Sequence, residues 1–309
     1  MNSKVDVVIV NWNSGVQLLE CIRSLANCAS QYIGKVIVVD NGSVDGSDNC
    51  VEGFAGLEVV VIRAGANLGF GKACNLGAKY SGCDYILFLN PDASVYDDTL
   101  FLSLNYMDEH SRVAVCGVQL KDEVNHVSRS CTRLPTVTSF LAHAVGLDRL
   151  LPKLGHFMGE WDHNDSRLVD HVIGAFYLVR RSVFESVGGF DERFFVYLED
   201  LDLSNRIKAA GWQIFFLSNV QAFHKGGGTS DQVKAFRLFY SLRSRIIYSY
   251  KHFNFAGATL ILFATMFIEP ISRVFHSALR RSMSSVKETL TAYKLLWKWL
   301  SGWMFEKSV

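Results

Sequence analysis

A carboxylate follows an apolar run in the stretch LFLNPDASV, residues 87–95. The run ends at Asn90 and Pro91, and Asp92 comes directly after them. An aspartate at this place is either a turn residue or a ligand of a divalent cation. Mg²⁺ and Mn²⁺ prefer oxygen ligands, and Mg²⁺ often takes only one or two carboxylates together with substrate phosphates. Asp92 is therefore a candidate metal ligand whose partner must come from elsewhere in the chain.

A second group of carboxylates lies in YLEDLDL, residues 197–203. Glu199, Asp200 and Asp202 stand at the start of a predicted helix, where negative charge is favourable even without a catalytic role. A carboxylate within hydrogen-bond reach of a hydroxyl can also act as a general base. Asp200 is the candidate for that role.

One histidine stands just before a glycine-rich segment. His224 follows a predicted strand, and three glycines come soon after it, at residues 226–228. A lone histidine is usually structural, whereas the glycines predict a mobile loop whose backbone can approach a ligand. Both interpretations of His224 remain open at this point.

The segment LGFGKACNLG, residues 68–77, is rich in glycine but lacks the two common phosphate-binding signatures. Gly69 and Gly71 form G-x-G, but Cys74 replaces the glycine or alanine of a dinucleotide fingerprint, and no GK[ST] occurs. Its backbone N–H groups lie near a predicted helix start and can still bind a diphosphate.

Two aspartates follow an apolar run in VVDNGSVDGS, residues 38–47. Asp40 ends the predicted strand and is either a turn residue or the acceptor of a hydrogen bond from a base or ribose. Asp45 is predicted to be a turn-forming residue.

Alternating strands and helices are predicted to position these side chains. Near-continuous apolar strands separated by helices predict a parallel sheet buried on both faces, with right-handed crossovers and a doubly wound α/β architecture. The predicted strands cover residues 5–10, 35–40, 57–63, 84–89, 168–181 and 213–219, with helices at 16–27, 71–80 and 200–210. A polar segment follows each of the first four strands, so four loops are expected at the carboxyl edge, where such sheets bind ligands.

Composition excludes several classes of protein. The 309 residues carry a net charge of +1, which provides no overall field for binding nucleic acid. The seven cysteines form no CxxC pair, which argues against a zinc ribbon and a disulfide framework and favours reduced thiols. The N-terminus continues directly into a predicted strand, so no signal peptide is expected.

The last 80 residues have a different character. Residues 255–268 hold 14 uncharged residues, fewer than the roughly 20 of a spanning helix. Basic and aromatic residues flank them, including Trp297, Trp299 and Trp303, a composition typical of a membrane interface. In-plane membrane association is favoured over a span and over a helical hairpin packed on the domain or on a second subunit.

Taken as an ordered series, the motifs resemble those of family-two glycosyltransferases with the GT-A fold. The series consists of VVIVNWNS, VVDNGSVDGS, ANLGFGKACNLGA, FLNPD, SRSCTRLPTVTSF, the long block GAFYLVRRSVFESVGGFDERFFVYLEDLDLSNRIKAAGW, and AFHKGGGTS. FLNPD is similar to a variant of the family's D-x-D metal motif, and the glycine-rich segment resembles that of bacterial rhamnosyltransferases. The resemblance covers about residues 4–230.

The resemblance implies a Rossmann-like, mostly parallel GT-A domain over residues 1–230. Residues 1–95 would be its nucleotide-binding half and 96–230 its acceptor half, and residues 231–309 would form a helical segment for membrane association or oligomerisation.

The resemblance also implies a role for each matching residue. Asp200 would be the catalytic base and Glu199 would bind acceptor or orient the site, while Gly174 and Ala175 would line the donor sugar. Asp92 and His224 would bind Mg²⁺ or Mn²⁺. The nucleotide would contact a set of polar and loop residues: Asn11, Asn13, Asp40, Asn67, Gly69, Lys72 and Asn90. Asn90 departs from the first aspartate of D-x-D, so one carboxylate stands where many relatives have two.

The predicted activity is inverting, metal-dependent transfer of a sugar from a nucleotide donor, implied to be rhamnose from dTDP-rhamnose. The acceptor would be a glycan or lipid-linked saccharide of the bacterial cell surface, handled at the cytoplasmic face of the plasma membrane. Homo-oligomerisation through the C-terminal helices is a further expectation.

Two other classes of function compete with this prediction. A non-catalytic nucleotide-sugar-binding or scaffold protein would not need Asp92, Asp200 and His224. A nucleotidyltransferase would need a basic, glycine-rich triphosphate loop near its N-terminus, and NWNSGVQLLE lacks that charge.

Overall fold

The structure, a computed structural model, describes residues 3–51, 54, 56–226 and 234–306. The chain divides into two compact units. Unit 1 comprises Met1–Leu134, Trp161–Phe195 and Glu199–Thr229, and unit 2 comprises Pro135–Glu160, Val196–Leu198 and Ser230–Val309. The predicted functional division at residues 95 and 230 stays a prediction. Gly227 and Gly228, which are part of the predicted mobile loop, lie outside the described residues.

The first half of unit 1 is the expected parallel sheet. Its strands are β1 (Val5–Asn11), β2 (Ile33–Asp40), β3 (Val59–Arg63) and β4 (Tyr85–Leu89). They lie in the order β3-β2-β1-β4, and every pairing among them is parallel. Because the strands share one direction, the loops after β1, β2 and β4 leave from one edge of the sheet.

The sheet continues beyond β4 as a mixed sheet. The added strands are β5 (Ala93–Val95), β6 (Val113–Lys121), β8 (Arg167–Val169), β10 (Phe176–Arg180) and β11 (Gln213–His224). β10 runs antiparallel to both β4 and β6, β11 is parallel to β6, and β5 and β8 pair antiparallel with β11. A separate two-stranded sheet joins β7 (Cys131–Thr132) and β9 (His171–Val172).

The helices of unit 1 pack against this sheet. They are α1 (Val16–Ala29), α2 (Phe70–Ala78), α3 (Thr99–Glu109), α5 (Arg181–Ser186) and α6 (Glu199–Ala209). Apolar residues of α1 and α3, among them Leu18, Ile22 and Leu104, are fully buried in one core with the strands. The 3.6-residue spacing of the apolar side chains of α1 predicts this face.

The single strand predicted over residues 168–181 is wrong. The chain forms β8, β9 and β10 there, and helix α5 begins at Arg181. The break between β9 and β10 falls at Gly174, whose backbone N–H binds a side chain instead of a neighbouring strand. A run of apolar residues does not reveal such a break, because apolar periodicity is the same in one buried strand and in two.

Unit 2 is helical. It contains α4 (Val137–Ala144), α7 (Lys234–His252), α8 (Phe255–Phe263), a π-helical turn (Ala264–Ile268), α9 (Glu269–Leu279) and α10 (Met283–Glu306). Its core joins α7 and α10 through Leu242, Ile246 and Leu296. Among the described residues, one continuous helix, Phe255–Leu279, is long and apolar enough to cross a membrane, and a third of its most apolar window is buried.

Candidate active site

The two predicted metal ligands lie side by side. The antiparallel pairing of β5 with β11 sets His224 opposite Ala93, next to Asp92. The Nε2 atom of His224 is 3.3 Å from Oδ1 of Asp92, and the two side chains are 13% and 11% exposed. Within the described residues no group of three His, Cys, Asp or Glu side chains could hold a metal ion. A carboxylate oxygen and an imidazole nitrogen so placed fit a divalent cation that takes its other ligands from a substrate.

Asn90 lies beside this pair. Its Nδ2 is 3.5 Å from Nε2 of His224. The backbone N–H of Asn90 donates to the carbonyl of Ala175 at 3.1 Å, and the buried thiol of Cys21 contacts the Asn90 carbonyl. The backbone thus holds Asn90 firmly at the end of β4, and its amide can face a ligand without moving the chain.

Asp200 lies in the first turn of α6 with its carboxylate held from two sides. Oδ2 accepts the N–H of Gly174 at 2.8 Å, and Oδ1 accepts the N–H of Leu201 at 2.8 Å. Its side chain is 18% exposed. A fixed, ionisable and partly accessible carboxylate is what a general base requires.

A short run of contacts connects Asp200, the predicted base, with Asp92 and His224, the predicted metal ligands. Gly174, which binds Asp200, is followed by Ala175, which binds Asn90. Asn90 in turn contacts His224. Ala175 and Asn90 are far apart in the sequence, and the antiparallel register of β10 on β4 brings them together.

Glu199 and Asp202 differ sharply from Asp200. Asp202 is fully buried and binds Arg206 at 2.9 Å, a structural ion pair. Glu199 is 4% exposed, and its Oε2 has no hydrogen-bond partner among the described residues. Burial, reinforced by the charge of Asp200, raises the pKa of Glu199 well above its usual 4.5. The raised pKa favours the protonated form of Glu199, and a protonated carboxyl can donate a hydrogen bond.

His171 is a buried neighbour of Asp200 that sequence reasoning missed. Its Nε2 is 3.8 Å from Oδ2 of Asp200, and its Nδ1 is 2.9 Å from Oγ of Ser204. Ser204 also contacts the hydroxyl of Tyr177 at 3.0 Å. Burial lowers the pKa of His171, against the opposing effect of Asp200, so the imidazole is neutral at neutral pH. A histidine inside a predicted apolar strand was the one indication in the sequence.

Asn11, Asn13 and Asp40 gather at the ends of β1 and β2, where Asn11 and Asp40 are register partners. Nδ2 of Asn11 donates to Oδ1 of Asp40 at 2.9 Å, and also to the hydroxyls of Ser43 and Ser47. Oδ1 of Asn11 is buried and has no hydrogen-bond partner among the described residues. These contacts fold the loop after β2 over the strand ends, and they leave one buried acceptor available to a donor.

Asn13 and Asp45 hold the backbone of this loop, and the predicted contact of Asn13 with the nucleotide stays a prediction. Oδ1 of Asn13, a residue with φ of 53°, accepts the N–H of Val44. Asp45 accepts hydrogen bonds from Gly15 and Ser47, which lower its pKa despite partial burial. The prediction that Asp45 forms the turn is therefore supported by its contacts.

The glycine-rich segment is held by Asn41, which sequence reasoning also missed. Asn41 accepts the N–H of Leu68 and donates to Oδ1 of Asn67 and to the carbonyl of Gly69. Gly69 has φ of 84°, and a Cβ there would lie 2.2 Å from the carbonyl oxygen of Phe195. Asn67 and Gly69 thus belong to one rigid loop that connects to the end of β2.

Lys72 lies apart from this cluster. Its side chain is half exposed, and its Nζ lies 3.9 Å from Glu192. The structure thus brings Asn11, Asn13 and Asp40 together. Asn41 links Asn67 and Gly69 to the end of β2, and Asn90 lies beside Asp92 and His224.

Comparisons with known proteins identify the family of this chain. The family described as "Glycosyl transferase family 2" matches residues 6–188. An N-acetylglucosaminyl-diphospho-decaprenol L-rhamnosyltransferase of Mycobacterium tuberculosis is 29% identical over 72% of this chain and 76% of its own length. Rhamnosyltransferase WbbL of Escherichia coli K12 is 31% identical over 71% of this chain and 83% of its own length.

A solved structure confirms the predicted fold. The mannosyltransferase PcManGT of Pyrobaculum calidifontis, solved with GDP-Man and Mn²⁺, superposes with a TM-score of 0.57 over 94% of this chain and 74% of its own, at 15% identity. The family match extends from β1 past Gly174 and Ala175, which lie between β9 and β10, to just beyond α5. With a relative above 30% identity over most of both chains, this protein belongs to glycosyl transferase family 2 and is a rhamnosyltransferase-like glycosyltransferase with the GT-A fold.

Proposed function

We propose that the protein transfers rhamnose from dTDP-rhamnose to a lipid-linked saccharide during synthesis of a bacterial cell-surface polysaccharide. One observation carries the proposal: the run of contacts from Asp92 and His224 through Asn90 and the Gly174–Ala175 segment to Asp200. It joins a metal-ligating pair to a carboxylate base, the two parts that transfer from a nucleotide sugar needs. The names of the bacterial relatives support the choice of sugar and of acceptor.

The carboxylate of Asp200 would remove the proton of the acceptor hydroxyl. The hydroxyl oxygen would form a bond to the anomeric carbon while the bond from that carbon to the nucleoside diphosphate breaks. Attack from the face opposite the leaving diphosphate inverts the anomeric centre. Asp200 is held by Gly174 and Leu201, so its free lone pairs keep a fixed direction toward the acceptor.

Asp92 and His224 would hold a divalent cation, with Asn90 contacting a metal-bound water or the ribose. Such a cation supplies positive charge to the leaving diphosphate. Protonated Glu199 would donate a hydrogen bond to the acceptor or orient it. Asn11 and Asp40 would bind the base.

Unit 2 would bring the enzyme to the cytoplasmic face of the membrane. Helices α8 and α9 expose large apolar side chains such as Phe255, Ile271 and Phe275. The same stretch contains Glu269, which is buried and paired with Arg245 and Arg273 inside the unit. One face of this helix forms buried ion pairs and another exposes apolar groups. Such a helix fits association in the plane of the membrane better than a membrane span.

A thermal-shift series tests the donor and the metal. The wild type is mixed with dTDP-rhamnose, UDP- and GDP-sugars, each with Mn²⁺, Mg²⁺ or a chelator. We expect stabilisation by dTDP-rhamnose that is lost with the chelator, because a ligand bound only to the folded state raises its stability. No shift with any nucleotide sugar, with or without metal, would contradict the proposal.

Asp200→Asn tests the base. We expect the variant to keep its donor-induced thermal shift and to lose transfer by at least about 100-fold, the scale of general base catalysis. Asp98→Asn makes the same change of charge at an exposed position and should leave transfer unchanged. If Asp200→Asn keeps more than a few per cent of the activity, another group is the base.

A further inference from the structure

A polar cavity of about 270 Å³ lies within unit 2 and has no part in the site described above. Four cationic side chains line it: Arg149, Lys234, Arg273 and Arg280. Four serines and one threonine add hydroxyl groups to the wall. Guanidinium, ammonium and hydroxyl groups are the donors with which proteins bind phosphate.

Most of the positive charge in the cavity lacks a partner. Glu269 is bound by Arg245 and Arg273, so its charge is already compensated. Arg149, Lys234 and Arg280 make no ion pair with any residue that the structure describes. Glu288 is the other carboxylate of the lining. A cavity with this excess of cations attracts an anion of more than one negative charge.

A half-buried histidine and a helix start face the same space. Nε2 of His276 is enclosed and has no hydrogen-bond partner among the described residues. His276 lines the cavity together with Arg149 and Arg280, and burial together with the charges of Arg280 and Arg149 lowers its pKa. Ser282 and Ser285 line the cavity where α10 begins, and helix starts favour anions.

Helix α9 carries this polar wall and an exposed apolar stripe on neighbouring faces. Ser272, Arg273, His276 and Arg280 follow each other at intervals of one, three and four residues and line the cavity. Ile271, Phe275 and Leu279 repeat every four residues and are exposed. The two stripes lie about a third of a turn apart, so a molecule with an anionic end and an apolar chain can contact both.

We propose that this cavity binds the phosphate end of a membrane lipid that carries two or more negative charges, a phosphomonoester or diphosphate, while the lipid chain lies along the apolar stripe of α9. Charge complementarity selects the phosphate, and the adjoining apolar side chains select a lipid over a free anion. The proposal rests on the membrane association proposed above, but not on the identity of the donor sugar or on Asp200.

Vesicle co-sedimentation of the full chain tests the site. The vesicles contain phosphatidylcholine with phosphatidylglycerol, phosphatidic acid or a polyprenyl diphosphate, adjusted to equal surface charge. We expect the phosphomonoester and diphosphate lipids to bind roughly tenfold more tightly than the singly charged phosphatidylglycerol. Comparison of phosphatidic acid with the polyprenyl diphosphate identifies which lipid phosphate is preferred, and soluble inorganic pyrophosphate serves as the competitor without a chain.

Two double variants with the same change of charge locate the binding. Arg149→Gln/Arg280→Gln removes two lining cations, whereas Lys153→Gln/Arg281→Gln removes two exposed neighbours outside the lining. We expect the first to abolish the preference for phosphomonoester and diphosphate lipids and the second to retain it. Transfer to a short soluble acceptor should be unchanged in both. Equal effects of the two variants, or no lipid preference in the wild type, would overturn the proposal.

Glu288→Gln provides the opposite change. It removes the second carboxylate of the lining and should tighten binding of the preferred lipid several-fold. Tighter lipid binding cannot result from loss of folding. If Glu288→Gln binds the lipid no more tightly than the wild type does, the result counts against binding in the cavity. Binding of pyrophosphate without any lipid preference would overturn the role of the chain. If the wild type binds no vesicle of any composition, the proposed membrane association itself fails.

Discussion

At the scale of single residues, Glu199 and Asp200 are adjacent in the sequence but have different surroundings. Asp200 is partly exposed and accepts the N–H of Gly174. Glu199 is buried against α2, where Gly71 leaves room for it: a Cβ at Gly71 would lie 3.5 Å from Cβ of Glu199. Burial, with no hydrogen-bond partner for Oε2 among the described residues, favours the neutral acid. The residue next to the proposed base is thus expected to have a different chemical role.

Glu199→Gln tests this assignment through pH. Because the folded-state pKa is raised, the folded protein binds a proton that the unfolded chain releases above about pH 4.5. Stability should therefore fall as pH rises from there toward the folded-state pKa. The glutamine variant lacks this loss of stability. Its free energy of unfolding, measured by urea titration, should therefore increase relative to that of the wild type between pH 5 and pH 8.

The control for this titration is Glu185→Gln, an exposed carboxylate on α5. It should leave the slope of stability with pH nearly unchanged. Glu199→Gln should also keep much of the transfer activity, since an amide N–H can replace the acid proton. If the slope for Glu199→Gln equals that of the wild type, Glu199 is ionised and the assignment is wrong.

His171 is expected to position Asp200. If the imidazole proton is on Nε2, it faces Asp200, and Nδ1 accepts from Ser204, which in turn is bound by Tyr177. His171→Phe should lower kcat roughly 10- to 100-fold, because a displaced base costs rate at this scale. KM for the donor should change little.

His171→Gln retains an N–H donor and should restore part of the kcat lost in His171→Phe, whereas Tyr177→Phe removes only the far end of the network and should have a smaller effect. Steady-state kinetics on both substrates separates these outcomes. Equal loss in kcat and in donor affinity would indicate a general packing defect and exclude a positioning role.

At the scale of elements, the first four strands could be predicted because each is an apolar run that is followed by polar residues. The strand pairings that bring the site residues together could not be predicted. The pairing of β10 with β4 brings Ala175 to Asn90, and that of β5 with β11 brings Asp92 to His224. Both pairings are antiparallel and connect distant segments, whereas periodicity reports only which residues are buried. The motif order supplied Asp92 and His224 as partners; it supplied neither Asn41 nor His171.

Three glycines, two of them in the loop after β3 and one before β4, offer a graded test of backbone geometry. Gly69 combines a positive φ with a close approach to Phe195, Gly65 has a positive φ in open space, and Gly82 has neither constraint. Substitution by alanine should cost roughly 3 kcal/mol or more at Gly69, about 1 kcal/mol at Gly65, and less than that at Gly82.

Chemical denaturation measures this series directly, and donor-induced thermal shifts report whether the nucleotide loop stays intact. Gly69→Ala should weaken the donor-induced shift, because Asn41 holds Gly69 and Asn67 in the same loop. A Gly69→Ala variant as stable as Gly82→Ala would show that the loop is not rigid.

At the scale of the whole molecule, two units with separate cores have different surfaces. Unit 1 buries its apolar strands, whereas unit 2 exposes apolar groups along α8, α9 and α10. The net charge of +1 conceals the cations gathered in the cavity of unit 2. Overall composition gave no reason to expect a nucleic-acid partner, and it could not reveal a local anion site, because a sum of charges carries no position.

Ile271→Asn/Phe275→Asn tests whether the apolar stripe of α9 meets a membrane. Both side chains are about two-thirds exposed or more, so the change should leave the free energy of unfolding nearly unaltered. Loss of two apolar groups from a membrane interface should lower vesicle binding roughly tenfold or more. The matched control is Val124→Asn/Leu168→Asn, which removes two exposed apolar side chains from unit 1 and should leave binding unchanged. Equal binding by the two double variants would exclude the stripe as the membrane contact, since only its position distinguishes them.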